Sequence, residues 1–134
     1  MKSDMPYLGV SAVPLRKLCK ALFADLAYAD SAAWRADVLA MWRGARFREE
    51  RYAAIALSGI RAARGWQLMD ALAMYEEMIV SGAWWDYVDT IAGHRLILLL
   101  RAEPEAMKAA MLDWAVCDDM WKRRSAILCQ LEAK

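Results

Sequence analysis

The chain has 134 residues, 60% of them hydrophobic, and a formal net charge of +1 at pH 7. It has only six glycines and three prolines but nine methionines and seven tryptophans. This composition excludes disordered, collagen-like and turn-rich all-β classes and predicts an all-α fold. The small net charge by itself indicates neither a strong nucleic-acid binder nor a receptor for acidic substrates.

Apolar periodicity and capping residues predict four helices in the first 80 residues. The first begins near Ser11 and ends at about residue 25, and the second is capped by Asp30 or Ser31 and stops near Gly44. The third covers about residues 47–63, and the fourth about residues 67–80.

Three further helices are predicted in the remaining chain. The fifth begins at residue 83 or 84, the sixth follows Pro104, and the seventh begins after a cap at Asp118 or Asp119. Helices of this length joined by tight turns indicate antiparallel pairs, either stacked as an α-solenoid or packed as a compact bundle. We expect residues 1–134 to form one helical-repeat domain of about seven helices.

The charges are distributed unevenly along the chain. Residues 43–64 carry six arginines and two glutamates, residues 70–119 carry ten acids and three bases, and residues 120–134 have a balance of +3. Two basic segments that flank an acidic one can form a local electrostatic surface if the fold brings them together. The alternative is that these charges lie on solvated helix faces.

The sequence predicts a cytoplasmic protein with free thiols. The longest stretch without a charged residue runs from Met5 to Leu15, which is too short to span a membrane, and the N-terminus lacks the long apolar segment of a secretory signal. The three cysteines, Cys19, Cys117 and Cys129, lack zinc-site spacing and lie among apolar residues. We therefore expect buried thiols and neither a disulfide framework nor a metal site.

The string Ala83-Trp84-Trp85-Asp86-Tyr87-Val88-Asp89 opens the fifth helix. At about 100° per residue, Trp84 and Val88 lie on the core arc with Ile91 and Ala92, while Trp85 and Asp89 are neighbours one turn apart at its edge. This pattern predicts a carboxylate beside an indole at the rim of a buried surface. The alternative is that the acids favour the positive end of the helix and both tryptophans fill the core.

The last helix places a charge among apolar residues. Met120, Ile127, Leu128 and Leu131 define its apolar stripe, and Arg124 falls near the centre of that stripe. A guanidinium on an inner face must be paired, reach water or meet an anionic ligand. Arg124 can form a structural salt bridge with an acid of residues 70–119, or it can bind an anionic ligand. Arg123 lies off the stripe and is expected to face solvent.

His94 and Arg95 follow Gly93 in the predicted fifth helix. His94 is the only histidine, which excludes a histidine-based metal cluster. Arg95 would point into the apolar arc if the helix continued unbroken, so we expect a break or kink at Gly93.

Four strings of the chain follow recognisable patterns in order. The start of the chain is similar to M-K-x-x-x-x-F-L-G-I-x-x-P-x-x-R, and ARFREERYAAIALSGI is an arginine- and glutamate-rich helix start. SGAWWDYVDTIAGH matches W-W-D-x-V-D, and DDMWKRRSAILCQL matches D-x-x-W-x-x-R-x-A-I-L-x-Q-L. Together these four strings resemble the DNA alkylation repair family of HEAT-like DNA glycosylases.

The resemblance implies a HEAT-like solenoid that removes N3- or N7-alkylated purines from duplex DNA by hydrolysing the N-glycosidic bond. Carried over by position, Asp89 is the catalytic carboxylate, Trp85 is the aromatic contact at the lesion, and Arg124 is a phosphate contact. Trp84 and Arg123 are further DNA-contact candidates. No metal or cofactor is needed, and the partner is duplex DNA rather than a membrane.

Family members are usually longer than this chain. We therefore expect an incomplete solenoid that is truncated at both ends, lacks C-terminal repeats and can self-associate through uncapped apolar ends. The alternative function is a catalytically inactive HEAT-like module that binds DNA or a protein partner through the same surface.

Overall fold

The structure, a computed structural model, describes residues 5–131 and is helical, with no strand within that range. The described residues form eight α-helices: α1 (Ala12–Phe23), α2 (Ser31–Gly44), α3 (Arg48–Ser58), α4 (Leu72–Gly82), α5 (Trp85–Ile91), α6 (Ile97–Ala102), α7 (Pro104–Ala115) and α8 (Met120–Leu131). Two 3₁₀ segments, Arg61–Trp66 and Met69–Ala71, separate α3 from α4, and a π-helical turn, Ala92–Leu96, joins α5 to α6. The all-α class is confirmed.

The described chain divides into two compact units, residues 5–66 and residues 67–131. They are called the N-terminal unit and the C-terminal unit below. The pairing of successive helices within them is consistent with a helical solenoid or a bundle. The prediction of a single domain over residues 1–134 stays a prediction.

In the N-terminal unit, α2 and α3 form an antiparallel pair. The indole Nε1 of Trp34, near the start of α2, donates to the carbonyl of Leu57 near the end of α3 at 3.1 Å. At the other end of the pair, the guanidinium of Arg51 lies 4.6 Å from the ring centroid of Trp42. The Asp30 side chain accepts from the Ala33 amide at 2.8 Å, so of the two predicted caps of α2 it is Asp30 that acts.

The segment before α1 is anchored to the start of α3 through Glu49. The buried Glu49 carboxylate accepts from the Leu8 amide at 2.8 and 2.9 Å and from the Val10 amide at 3.0 Å. Between them, Gly9 adopts φ +88, a left-handed conformation that glycine tolerates and that allows both amides to face one carboxylate. The glycine of the first motif therefore has a structural role.

The C-terminal unit packs α4 to α8 around a core rich in methionine and aliphatic side chains. The fully buried side chains include Met78, Ile79, Ile91, Leu96, Leu99, Met107 and Met111. The first 3₁₀ turn of this unit is tied to the α6–α7 connection, because the Met69 amide donates to the Glu103 carboxylate at 2.6 Å. None of the helices in residues 5–131 is both long and apolar enough to cross a bilayer.

Two predicted helix boundaries were wrong. The third helix was predicted to run to residue 63 but ends at Ser58, because Gly59 lies at its C-cap and the chain continues as a 3₁₀ turn. That turn brings the ring of Trp66 to 6.0 Å from the ring of Trp34, so aromatic packing stabilises the change of direction. The fourth helix likewise begins at Leu72 rather than near residue 67.

Candidate active site

The turn between α4 and α5 sets the direction of the W-W-D segment. Ala83 adopts a left-handed conformation with φ 45 directly after α4, and Trp84 is extended, so that α5 begins at Trp85. A left-handed conformation costs a residue with a Cβ about 1–2 kcal/mol, so the surrounding packing must hold this turn in place.

The edge position predicted for Trp85 and Asp89 is the one they occupy. Val88 and Ile91 are fully buried under α5, whereas 46% of the surface of Trp85 is exposed and Asp89 is half-buried. Trp84 is half-buried and its ring lies 5.8 Å from that of Trp85. The alternative in which both tryptophans fill the core does not hold for Trp85.

Sequence reasoning missed one member of the α5 core. Tyr87 is fully buried, together with the predicted Val88, Ile91 and Ala92. Tyr87 lies four positions before the fully buried Ile91, so the two side chains lie on the same face of α5, and this spacing could have identified it.

Asp89 is held by Arg124 of α8 through two hydrogen bonds. Nε of Arg124 donates to Oδ1 of Asp89 at 2.6 Å, and Nη2 donates to Oδ2 at 2.7 Å. The hydrogen bond to Asp89 raises the pKa of the Arg124 guanidinium, against a smaller lowering by desolvation. The two residues that the sequence assigned to separate tasks therefore form one bidentate ion pair.

The predicted inner face of α8 was wrong. Of the four predicted stripe residues, Met120, Ile127 and Leu131 are exposed and Leu128 is half-buried. The side chains that α8 buries are those of Trp121, Ser125, Ala126 and Cys129. The small Ser125 and Ala126 side chains allow close helix packing, and the Ser125 hydroxyl is satisfied within the helix by donating to the Trp121 carbonyl at 2.8 Å. Arg124 consequently lies on the exposed face, where its side chain is 45% accessible.

Three contacts fix α8, and with it Arg124, against the rest of the unit. Asp119 caps the helix by accepting from the amides of Trp121 at 2.9 Å and Lys122 at 3.0 Å, as one of the two predicted caps. Lys122 pairs with Glu76 of α4 at 2.6 Å, and its ammonium lies 5.1 Å from the ring centroid of Trp114. The Lys122–Glu76 contact joins residues 46 positions apart, and no local sequence pattern indicated it.

Arg123, a further candidate for DNA contact, does not simply face solvent as expected. It is half-buried, and its Nη1 donates to the Cys117 carbonyl at 2.7 Å, beside the turn between α7 and α8.

The break or kink expected at Gly93 is present as the π-helical turn Ala92–Leu96, which follows α5 directly. His94 is exposed on that turn, and desolvation lowers the pKa of the half-buried Arg95.

A comparison with protein-family models decides the family. The model described as DNA alkylation repair enzyme matches residues 1–134, the whole chain. The chain belongs to this family. The match covers all four motifs and includes Trp85, Asp89 and Arg124.

A DNA repair role with DNA as the partner follows from membership of the DNA alkylation repair family. No curated protein matches the sequence at a significant level of similarity. Among residues 5–131, no group of three or more histidine, cysteine, aspartate or glutamate side chains is arranged to hold a metal ion.

Proposed function

We propose that this protein is a DNA glycosylase that hydrolyses the N-glycosidic bond of cationic N3- or N7-alkylated purines in duplex DNA. The observation that carries the proposal is the exposed turn of α5 on which Trp85 and Asp89 lie, with Arg124 bound to Asp89. The family match supports a substrate in alkylated DNA.

The chemistry requires little more than a carboxylate and an aromatic face. Alkylation gives the purine a positive charge, so the bond between C1′ and the purine nitrogen breaks with its electron pair leaving on a neutral base. Asp89 stabilises the positive charge that develops on the sugar and accepts a proton from the water that adds to C1′. The products are the free alkylpurine, an abasic site and one proton.

Trp85 lies one helical turn from Asp89 with almost half of its surface exposed. Its indole face can contact the same cationic sugar and purine through cation–π attraction, which is worth about 0.5–2 kcal/mol depending on desolvation. We assign Trp85 to this contact, and Trp84 to the wall of the site beside it.

Arg124 takes a DNA phosphate in place of the Asp89 carboxylate in this proposal. Both ligands present two oxygens to the planar guanidinium, so the same bidentate geometry serves either one. Because the side chains of Arg124 and Asp89 are 45% and 31% exposed, their pairing is of the kind that contributes about 0–1 kcal/mol. A phosphate can therefore displace Asp89, which leaves the carboxylate available when DNA is bound. Arg123 supports the same backbone after release from the Cys117 carbonyl.

Incubation of duplex DNA containing 7-methylguanine with an excess of the protein tests the proposal. We expect release of 7-methylguanine and an abasic site, and no release of guanine from a matched unmodified duplex. Absence of release above the rate without protein, with binding to the duplex demonstrated in the same buffer, would refute the glycosylase activity.

The second candidate function is a non-enzymatic DNA-binding module. It is favoured by one observation, namely that Asp89 is engaged by Arg124 through both of its oxygens. This alternative predicts that the protein binds DNA in a salt-sensitive way without releasing a base, and that Arg124→Ala weakens the binding. Binding that is insensitive both to salt and to Arg124→Ala would instead indicate a protein partner.

A further inference from the structure

The ion pair between Asp89 and Arg124 neutralises the candidate site in the protein without DNA. Arg124 donates to both carboxylate oxygens of Asp89, at 2.6 and 2.7 Å. At this distance the positive guanidinium cancels most of the field of the carboxylate, and that field is what stabilises a sugar cation during hydrolysis. While the pair is closed, Asp89 is therefore present but electrostatically masked.

A change of pH does not open this pair in a useful way. A guanidinium keeps its proton at every pH at which proteins are folded. Protonation of Asp89 would release it from Arg124, but it would also remove the negative charge and the base that the reaction needs. A competing anion is therefore required to free Asp89 with its charge intact.

The two basic neighbours of Arg124 on α8 have other partners. Lys122 pairs with Glu76 of α4 at 2.6 Å. Nη1 of Arg123 donates to the Cys117 carbonyl at 2.7 Å. Within residues 120–131, Arg124 is therefore the basic residue that controls the charge of Asp89.

A phosphodiester can take the place of Asp89 because it is also an anion with two oxygens that match the guanidinium. The pair is accessible to it, since the side chains of Arg124 and Asp89 are 45% and 31% exposed. When Arg124 binds a phosphate, these two opposite charges cancel each other, and Asp89 recovers its negative charge. Phosphate binding thus makes the site negative toward the sugar.

We infer that a phosphodiester of the bound strand must displace Asp89 from Arg124 before the carboxylate can act on the lesion. Arg124 is then a specificity-determining residue, because it makes hydrolysis, and not only binding, depend on a charged phosphate at one position of the DNA. An alkylated purine that lacks this charged phosphate is hydrolysed slowly even when it is bound. The inference rests on the proposed glycosylase function and adds a condition for it.

A scan of the DNA backbone with methylphosphonates tests the inference. A methylphosphonate linkage resembles a phosphodiester in shape but has no charge, so it competes poorly for Arg124. Single-turnover release of 7-methylguanine at saturating protein is measured on duplexes that each carry one methylphosphonate near the lesion. We expect one position to lower the wild-type rate by about fivefold or more, the factor that corresponds to the upper end for an exposed ion pair.

Arg124→Ala provides the decisive comparison. In this variant no guanidinium masks Asp89, so the methylphosphonate that slows the wild type should have no effect on its rate. Arg101→Ala, which removes an exposed arginine of α6, should keep the wild-type sensitivity. A methylphosphonate effect of equal size in all three proteins would reflect a general disturbance of the duplex and would overturn the inference.

A spectroscopic measurement follows the change of partner without base release. It uses the nitrogen-15 resonance of Arg124 Nε, assigned by its loss in Arg124→Ala, and a duplex containing 2′-fluoro-7-methylguanosine, in which fluorine disfavours the sugar cation. Asp89→Asn should shift this resonance in the free protein, whereas in the complex the wild type and Asp89→Asn should give the same resonance. An equal shift in the complex would mean that Arg124 stays bound to Asp89, which would overturn the inference.

The two experiments distinguish this inference from the proposed function. Release from the ordinary duplex that is insensitive to methylphosphonate at every position would overturn the inference and leave the glycosylase activity standing. No release from the ordinary duplex, with the change of partner observed in the spectrum, would refute the glycosylase activity but not the displacement of Asp89 by phosphate.

Discussion

Arg124 on α8 binds both carboxylate oxygens of Asp89 on α5, at 2.6 and 2.7 Å. In the protein without DNA, Arg124, which is proposed to bind a phosphate, is thus paired with Asp89, the proposed catalytic carboxylate. Because the pair is substantially exposed, its small stability allows a DNA phosphate to compete for the guanidinium. The predictions below separate the contribution of each residue.

Arg124→Ala should act mainly on DNA binding. Loss of one phosphate contact should reduce the slope of log affinity against log salt by about one and raise the dissociation constant several-fold. The single-turnover rate of base release at saturating protein should fall much less than it does in Asp89→Asn. Fluorescence anisotropy over a salt series, with single-turnover kinetics on the same preparations, measures both effects.

Arg101→Ala is the matched control for Arg124→Ala, because it removes one exposed arginine from α6 of the same unit. It should leave the rate of base release unchanged. An equal loss of affinity and an equal change of salt slope in the two variants would mean that Arg124 acts only through net charge.

Trp85→Ala should lower the rate of base release by about 2- to 30-fold, the equivalent of the cation–π contribution assigned to this ring. Trp85→Phe should retain part of the rate because it keeps an aromatic face. Since almost half of the surface of Trp85 is exposed, the midpoint of thermal unfolding should change little in either variant. A rate equal to that of the wild type in Trp85→Ala would exclude the indole from the site.

Glu49→Gln should make the protein less stable near neutral pH. Desolvation opposes ionisation of this carboxylate, but the backbone hydrogen bonds from Leu8 and Val10 outweigh it and lower the pKa of Glu49 below its ordinary value. A lowered pKa contributes stability above the pKa of the unfolded chain and loses it as pH falls through the lowered value. The difference in the free energy of unfolding between the wild type and Glu49→Gln should therefore shrink as the pH is lowered.

Urea unfolding of the wild type and of Glu49→Gln from pH 7 to pH 3 measures this difference. Replacing a hydrogen-bonded charge should cost about 1.5–3 kcal/mol near neutral pH, and the difference should shrink at the acidic end. Glu105→Gln, at an exposed position of α7, should show no such trend. A constant difference at every pH would contradict a role for the Glu49 charge.

The three thiols should react at different rates in the native protein. Cys19 and Cys129 are buried, and burial raises the pKa of the Cys129 thiol to about 11, whereas Cys117 is half-buried in the α7–α8 turn. A disulfide reagent such as dithiobis(nitrobenzoate) should give one fast phase, and Cys117→Ser should abolish it. Three thiols reacting together without denaturant would contradict the burial of Cys19 and Cys129.

Local sequence features were sufficient for much of the fold. The caps Asp30 and Asp119 were each one of two predicted candidates, because a cap depends on amides only two or three residues away. The edge position of Trp85 and Asp89 was predicted for a similar reason, since their spacing of four residues fixes their relation on a helix.

The orientation of α8 could not be predicted in this way. A helical wheel groups Met120, Ile127 and Leu131 on one face correctly, but which face is buried depends on neighbouring helices. Here the small Ser125 and Ala126 make the inner face and leave the larger apolar side chains outside. The pairing of Arg124 with Asp89, 35 residues apart, likewise depends on the packing of α8 against α5.

The single-turnover rate of 7-methylguanine release by Asp89→Asn, relative to the wild type at saturating protein, tests the central claim most directly. Loss of the carboxylate that stabilises the sugar cation should reduce this rate by about 10²–10³-fold, while the duplex is still bound. Release at the wild-type rate by Asp89→Asn would contradict the assignment of Asp89 as the catalytic carboxylate.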